Sequence, residues 1–192
     1  MVIFSIGCGR KEEDKFLREL NSFKIEFVID VRSNPYSRWA EGHNRENLER
    51  LVKDNNIDYL FMGNVIGGKP LSNDFFDEDG FYDYKKMAEH WAFSGGLSKI
   101  KNFCDQGKTF AILCAEQDPL LCHRTRLIGR ELYFRHGINT MHIIGVDKCL
   151  SQIDAMIKLT KGEWNPNGDL FGSFEDPYFK SSKPFGKIKE DE

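Results

Sequence analysis

The side chains in this sequence that could do chemistry fall into three short segments. Gly7-Cys8-Gly9 closes the first apolar run. Asp30 and Arg32 close the second, with Ser37 and Arg38 in the loop beyond. Cys114 and Glu116 close the strongest apolar run of the chain, and Cys122, His123 and Arg124 follow Asp118-Pro119. The residue types suggest what each could do. Arginine makes forked bonds to phosphate or carboxylate. Asp30 or Glu116 could act as general acid or base if burial raised its pKa, and His123 could do so near neutral pH. Cys114 could be a nucleophile, its thiol eased toward thiolate by a nearby helix N-terminus.

Something must bring these segments together, and the order of elements supplies it. Val2 to Ile6, Phe27 to Val31, Tyr59 to Met62, Thr109 to Ala115 and Thr140 to Ile144 read as strands. Between them the spacing of apolar residues predicts helices at Glu13 to Leu20, Asn44 to Asp54, Tyr84 to Phe93 and Leu97 to Cys104. A further helix runs from Pro119 to about His136, stopped by Gly137, and another from Leu150 to Leu159. Alternation of this kind predicts an α/β domain with a mostly parallel sheet flanked by helices. Ligands of such sheets bind beyond the carboxyl ends of the strands. Gly7, Asp30, Arg32, Cys114 and Glu116 all sit at such ends, with His43 and Gly67-Gly68 in loops above them. Residues 63 to 82 read as a long functional loop or lid. The domain is expected over residues 1–160. Residues 161–192 form an irregular, ring-rich extension that packs back through Trp164, Phe171, Phe174, Tyr178, Phe179 and Phe185, with the last residues loose.

Each candidate also has a plainer reading. Asp30 and Arg32 share a face of their strand and could simply pair. Cys114 could be a small apolar core residue. On a helix starting at Pro119, with Leu121, Thr125, Ile128 and Leu132 against the sheet, His123 would point nearly away from it. His123 then joins a site only if the helix start overhangs the sheet edge or a loop folds over it. Cys114, Cys122 and His123 are of the types zinc prefers, but their spacing matches no recognised zinc pattern. A fourth ligand would have to be Cys8 or His142, so no metal is assigned and no cofactor named. Gly67-Gly68 is a simple turn or a phosphate cradle, and Phe75-Phe76 and Phe81-Tyr82 are loop anchors or a base-stacking surface.

The composition narrows the classes. The formal charge is −3, from 27 Lys plus Arg against 30 Asp plus Glu, which excludes coating a polyanion by charge alone. Yet ten arginines lie between residues 10 and 135, enough to grip one compact anion. The longest apolar run, Phe110 to Ala115, is far short of a membrane span. The start of the chain reads as a strand rather than a signal peptide. Scattered cysteines at 8, 104, 114, 122 and 149 then read as reduced thiols in a cytoplasmic protein.

Asp30-Val31-Arg32-Ser33-Asn34-Pro35-Tyr36-Ser37-Arg38 resembles the DVRxxPxSR signature of the domain of unknown function 488 family. Cys114-Ala115-Glu116-Gln117-Asp118-Pro119 with Cys122-His123-Arg124 resembles its second signature. Ile6-Gly7-Cys8-Gly9 is similar to its IGxG start, and Ile66-Gly67-Gly68 to its LGG segment. The resemblance spans about residues 1 to 147. It implies a small α/β protein and brings no settled activity. It points to Gly7, Asp30, Arg32, Pro35, Ser37, Arg38, Cys114, Glu116, Cys122, His123 and Arg124 as the residues most worth following. The expected function is an enzyme or ligand-processing domain with an anion site at the sheet edge. Arg32, Arg38 and Arg124 would hold a phosphate, a nucleotide or a nucleic-acid end, helped by Gly7, Ser37 and Cys122. The alternatives are a non-catalytic module binding nucleic acid or protein, and a thiol- or metal-dependent protein using Cys114, Cys122 and His123.

Overall fold

The computed structural model describes residues 2–70, 72–166 and 177–185. Among these, six strands form one sheet in the order β3-β2-β4-β1-β5-β6. They are β1 (Ile3–Gly7), β2 (Phe27–Asp30), β3 (Asp58–Phe61), β4 (Phe110–Cys114), β5 (Thr140–Gly145) and β6 (Lys148–Ser151). The first five are parallel, and β6 adds to β5 antiparallel. Every residue of β4 is buried, as its unbroken apolar run requires of a strand covered on both faces.

Alternate residues of the central strands feed two cores. Phe110, Ile112 and Cys114 join one face, while Ala111 and Leu113 join the other. The second face carries α1 (Glu13–Ser22) and α2 (Arg45–Lys53) through Phe16, Leu20, Leu48 and Val52. The first carries α3 (Gly63–Ile66), α4 (Tyr84–Glu89), α5 (Trp91–Asp105) and α6 (Arg130–His136). The chain leaves β1 toward β2 and leaves β4 toward β5, in opposite directions along the sheet. A crevice must therefore open between the carboxyl ends of β1 and β4.

Four elements differ from the sequence reading. The helix expected from Pro119 is a single 3-10 turn, Pro119–Leu121, broken at Cys122, whose backbone is extended (φ −107°, ψ 146°). Helical structure resumes at Arg124 with a wide π-type stretch to Gly129 that continues as α6. Leu121 is accordingly exposed rather than set against the sheet. Asp118 caps the short turn, accepting from the Leu120 N–H, so the predicted cap is real but holds only one turn. Second, α5 runs through Gly95-Gly96. The break comes earlier, at His90, whose Nδ1 accepts from the Ala92 N–H. Gly96 instead lets α5 close on Val65 and Ile66 of α3. Third, residues 63 to 82 contain α3 and a 3-10 turn at Asn73–Phe75. Fourth, β6 was not expected. It follows a tight turn at Asp147 (φ 53°) and leads into α7 (Gln152–Leu159), capped by Ser151.

Beyond residue 160 the described rings make these contacts. Trp164 is buried against Tyr133 and Phe134, Tyr178 lies over the Arg130 guanidinium, and Phe185 stacks on Tyr82 at 4.5 Å between centroids. Phe171, Phe174 and Lys187 to Glu192 lie outside the described residues. All five cysteines are free thiols. Among the described residues no helix is long and apolar enough to cross a membrane.

Candidate functional site at the carboxyl edge of the sheet

The crevice is built on close backbone approach. A Cβ at Gly7 would fall well inside contact distance of the Glu116 carbonyl and 2.8 Å from Gln117 Cα. The Cys8 N–H donates to the Cys114 carbonyl at 2.9 Å, locking the two strand ends together. Both clashing partners at Gly7 are backbone, with no rotamer to swing away. Gly7→Ala is therefore expected to cost about 3 kcal/mol, the upper range for overpacking, read as a lower urea midpoint with unchanged slope.

Cys114 ends β4, and the 3-10 turn brings Cys122 and His123 back over it. The His123 Nδ1 lies 3.7 Å from Cys114 Sγ and 3.7 Å from Cys122 Sγ, and the three atoms lie within 4.8 Å of one another. All three residues are at least nine-tenths buried. The helical-wheel difficulty for His123 disappears because the residue precedes the helix. A loop also folds over it, as the sequence required: a Cβ on Gly68 would collide with the imidazole. The Gly67-Gly68 pair thus packs against His123 and Ser33. The Cys114 thiol is drawn well below its ordinary range by the Cys122 thiol donating to it, against burial, with His123 and Arg124 assisting. Burial pushes Cys122 well above its range, and the neighbouring Cys114 adds to this. Among the described residues the His123 Nε2 has no hydrogen-bond partner.

These three side chains form the deep end of a cavity of about 340 Å³. Exposed Lys69 and Lys183 line its rim, with both ammonium groups near the Phe185 ring, at 6.0 and 5.4 Å from its centroid. Tyr84 lines the same cavity, and burial raises its phenol pKa. The extension supplies one wall. Ser181 exchanges hydrogen bonds with Tyr82 backbone groups at 3.0 and 3.2 Å, and Lys180 pairs with Asp77 at 3.0 Å. Lys69, Tyr84 and Lys183 are not among the site candidates read from the sequence. Lys69 follows the Gly67-Gly68 pair and could have been noticed there. Nothing local marks Lys183, which reaches the site only because the extension folds back.

The remaining sequence candidates divide. Glu116 is exposed and lines the cavity. Arg32 touches the cavity edge, but its guanidinium grips Asp30 through Nε and Nη2 at 2.9 and 2.6 Å and the His43 carbonyl through Nη1 at 2.6 Å. Asp30 is fully buried, also accepts from Tyr59 Oη at 2.7 Å, and does not line the cavity. The pairing reading of this couple is thus present. Arg124 is completely buried and bonds the Glu116 and Gln117 carbonyls, so it braces the loop after β4. Arg38 is exposed beside Trp39, 5.3 Å from its ring centre, and lines none of the cavities described here. Ser37 lies beside Trp39 in a smaller neighbouring cavity of about 220 Å³ that shares Arg32 and Asn34. Cys8 belongs to the opposite core face. His142 is bound by Ser5 at 2.6 Å and Gln152 at 2.9 Å. Neither joins Cys114 and Cys122.

Fold and site together define a doubly wound α/β domain with a cysteine- and histidine-floored cavity at its topological switch point. The chain belongs to the family described as Domain of unknown function DUF488, whose sequence model matches residues 13–130. That span contains both signature segments. No curated protein and no solved structure matches the chain.

Proposed function

We propose that this protein binds and processes a small anionic ligand, of the phosphate or nucleotide class, in the 340 Å³ cavity. One observation carries the reading: two lysines rim a cavity whose floor holds two thiols and an imidazole. Lys69 and Lys183 serve as the anion's charged partners. Tyr84 offers a hydroxyl, and exposed Phe185 offers a ring edge. Cys114, Cys122 and His123 are the groups placed to act on what is bound. Arg32 supports the site from behind by holding Asp30 and the His43 segment. The two neighbouring sulfurs suit a reducing compartment such as the cytoplasm.

Titration with inorganic phosphate and with a nucleoside monophosphate, followed by calorimetry, tests the reading. Each charge-assisted bond contributes about 1.5–3 kcal/mol. The Lys69→Ala/Lys183→Ala double variant should therefore bind at least about 100-fold more weakly. Wild-type protein that binds neither probe would end the proposal, as would a double variant that binds like wild type.

A second reading rests on Trp39. Its ring is 68% exposed, with the Arg10 and Arg38 guanidinium groups 5.8 and 5.3 Å from its centre and exposed Tyr36 nearby. Aromatic faces with flanking cations suit single-stranded nucleic acid. The ring-rich loop does not share that role, since Phe76 and Tyr82 are buried. Oligonucleotide binding that falls steeply with salt and is lost in Trp39→Ala supports this module. Absence of binding at low salt removes it.

A further inference from the structure

The position of His123 between the two sulfurs has a second meaning. A hydrogen bond directed at one thiolate would draw Nδ1 toward that sulfur. Instead Nδ1 is 3.7 Å from each. Zinc binds cysteine sulfur at about 2.3 Å and histidine nitrogen at about 2.0 Å, so a tetrahedral centre has S···N edges of about 3.6 Å and S···S edges of about 3.8 Å. The observed trio has both S···N separations at that value, and all three atoms lie within 4.8 Å. The local backbone explains how a spacing that matches no zinc motif arrives here. Cys114 comes from a strand end, and the 3-10 turn and extended Cys122 bring the other two back over it.

We infer that Cys114, Cys122 and His123 form a zinc site with three protein ligands and a fourth corner open to the cavity. Cys8 and His142, the two residues that sequence alone could offer as a fourth ligand, are held elsewhere. Three ligands facing a cavity is the pattern of catalytic zinc, whereas structural sites close all four positions. Gly68 keeps the imidazole in place, because any side chain there would meet the ring. Tyr84, lining the same cavity, has a hydroxyl available to whatever occupies the fourth corner. The chemical class this adds is Lewis-acid polarisation of a ligand oxygen. In function, though not in metal binding, it rests on the ligand-processing reading above.

The test uses the full chain, purified under reducing conditions. Elemental analysis should find about one zinc per chain, and a chromophoric chelator in competition should report its affinity. Losing an outer-sphere partner already costs 10–100-fold, so Cys122→Ser and His123→Gln should each weaken zinc binding by more than about 100-fold. Cobalt(II) bound in place of zinc should show the intense charge-transfer absorption of thiolate ligation, reduced in Cys122→Ser. Wild-type protein that takes up no zinc overturns the inference, even if every variant fails to fold. Folded variants that bind zinc like wild type overturn it too. Phosphate binding by protein that takes up no zinc refutes the metal site and leaves the anion reading standing. Zinc bound without any phosphate or nucleotide affinity does the reverse.

Discussion

Replacing Arg32 with alanine is expected to lower the unfolding free energy by about 3–5 kcal/mol, the cost of leaving one partner of a buried pair uncompensated. Asp30 is wholly buried, and Arg32 supplies most of what neutralises it: two contacts from Nε, one from Nη2 and one from its own backbone N–H. Burial opposes charge on the guanidinium, but the bonds and charge of Asp30 outweigh it and raise its pKa. Without the side chain, the carboxylate keeps only Tyr59 Oη and the backbone N–H. The His43 carbonyl loses its donor as well. Domains commonly have only about 5–15 kcal/mol of stability, so this substitution should bring the protein close to unfolding at 25 °C. Arg32→Lys should be intermediate, since an ammonium cannot reproduce the fork. Urea melts of the three proteins decide it. An Arg32→Ala protein as stable as wild type, but unable to bind phosphate, would return Arg32 to the role of direct anion ligand.

The second large effect concerns acid. His142 is completely buried in β5, with Nδ1 at Ser5 Oγ and Nε2 near Gln152 Oε1 and Thr125 Oγ1. Burial, with the positive charge of Arg124 adding to it, holds its pKa down at about 3, against 6.5 for a free histidine; the Gln152 bond works the other way. The folded state therefore keeps this imidazole neutral while the unfolded chain binds a proton below pH 6.5. Stability is full above that pH and falls as the solution is acidified toward about pH 3, by roughly 1 kcal/mol per pH unit from this group. His43 and His136 are shifted in the same direction, so the His142 share is read by difference. In His142→Gln the slope of unfolding free energy against pH between 6.5 and 5 should be smaller by close to one proton. An unchanged slope would mean that His142 charges within the fold or contributes nothing.

Both effects come from residues whose types suggest site chemistry in the sequence and whose polar groups are engaged by protein partners in the fold. Asp30, Arg32, Arg124 and His142 sit beside the crevice, and each is enclosed by protein partners. Residue type and position at a strand end were legible; whether a guanidinium faces ligand or carbonyl was not. That depends on how the loops after β2 and β4 close, which no local pattern encodes. The lysines show the converse. Lys69 and Lys183 lie more than a hundred residues apart and carry no motif, yet they meet at one ring because the extension folds back on Tyr82.

By itself the sequence determined the α/β class, the parallel core strands and the edge of the sheet at which ligands of such sheets bind. Those follow from apolar periodicity and from the rule that crossovers leave their loops at carboxyl ends. It also marked Cys114, Cys122 and His123 as a group. Tertiary structure decided that they converge. A regular helix from Pro119 would have turned His123 away, because a uniform helix fixes direction by residue number alone. The capped 3-10 turn and extended Cys122 break that rule, and Gly68 then seats the imidazole between the two sulfurs. Such a break arises from close packing of the loops over the strand ends, so it exists only once the chain has folded.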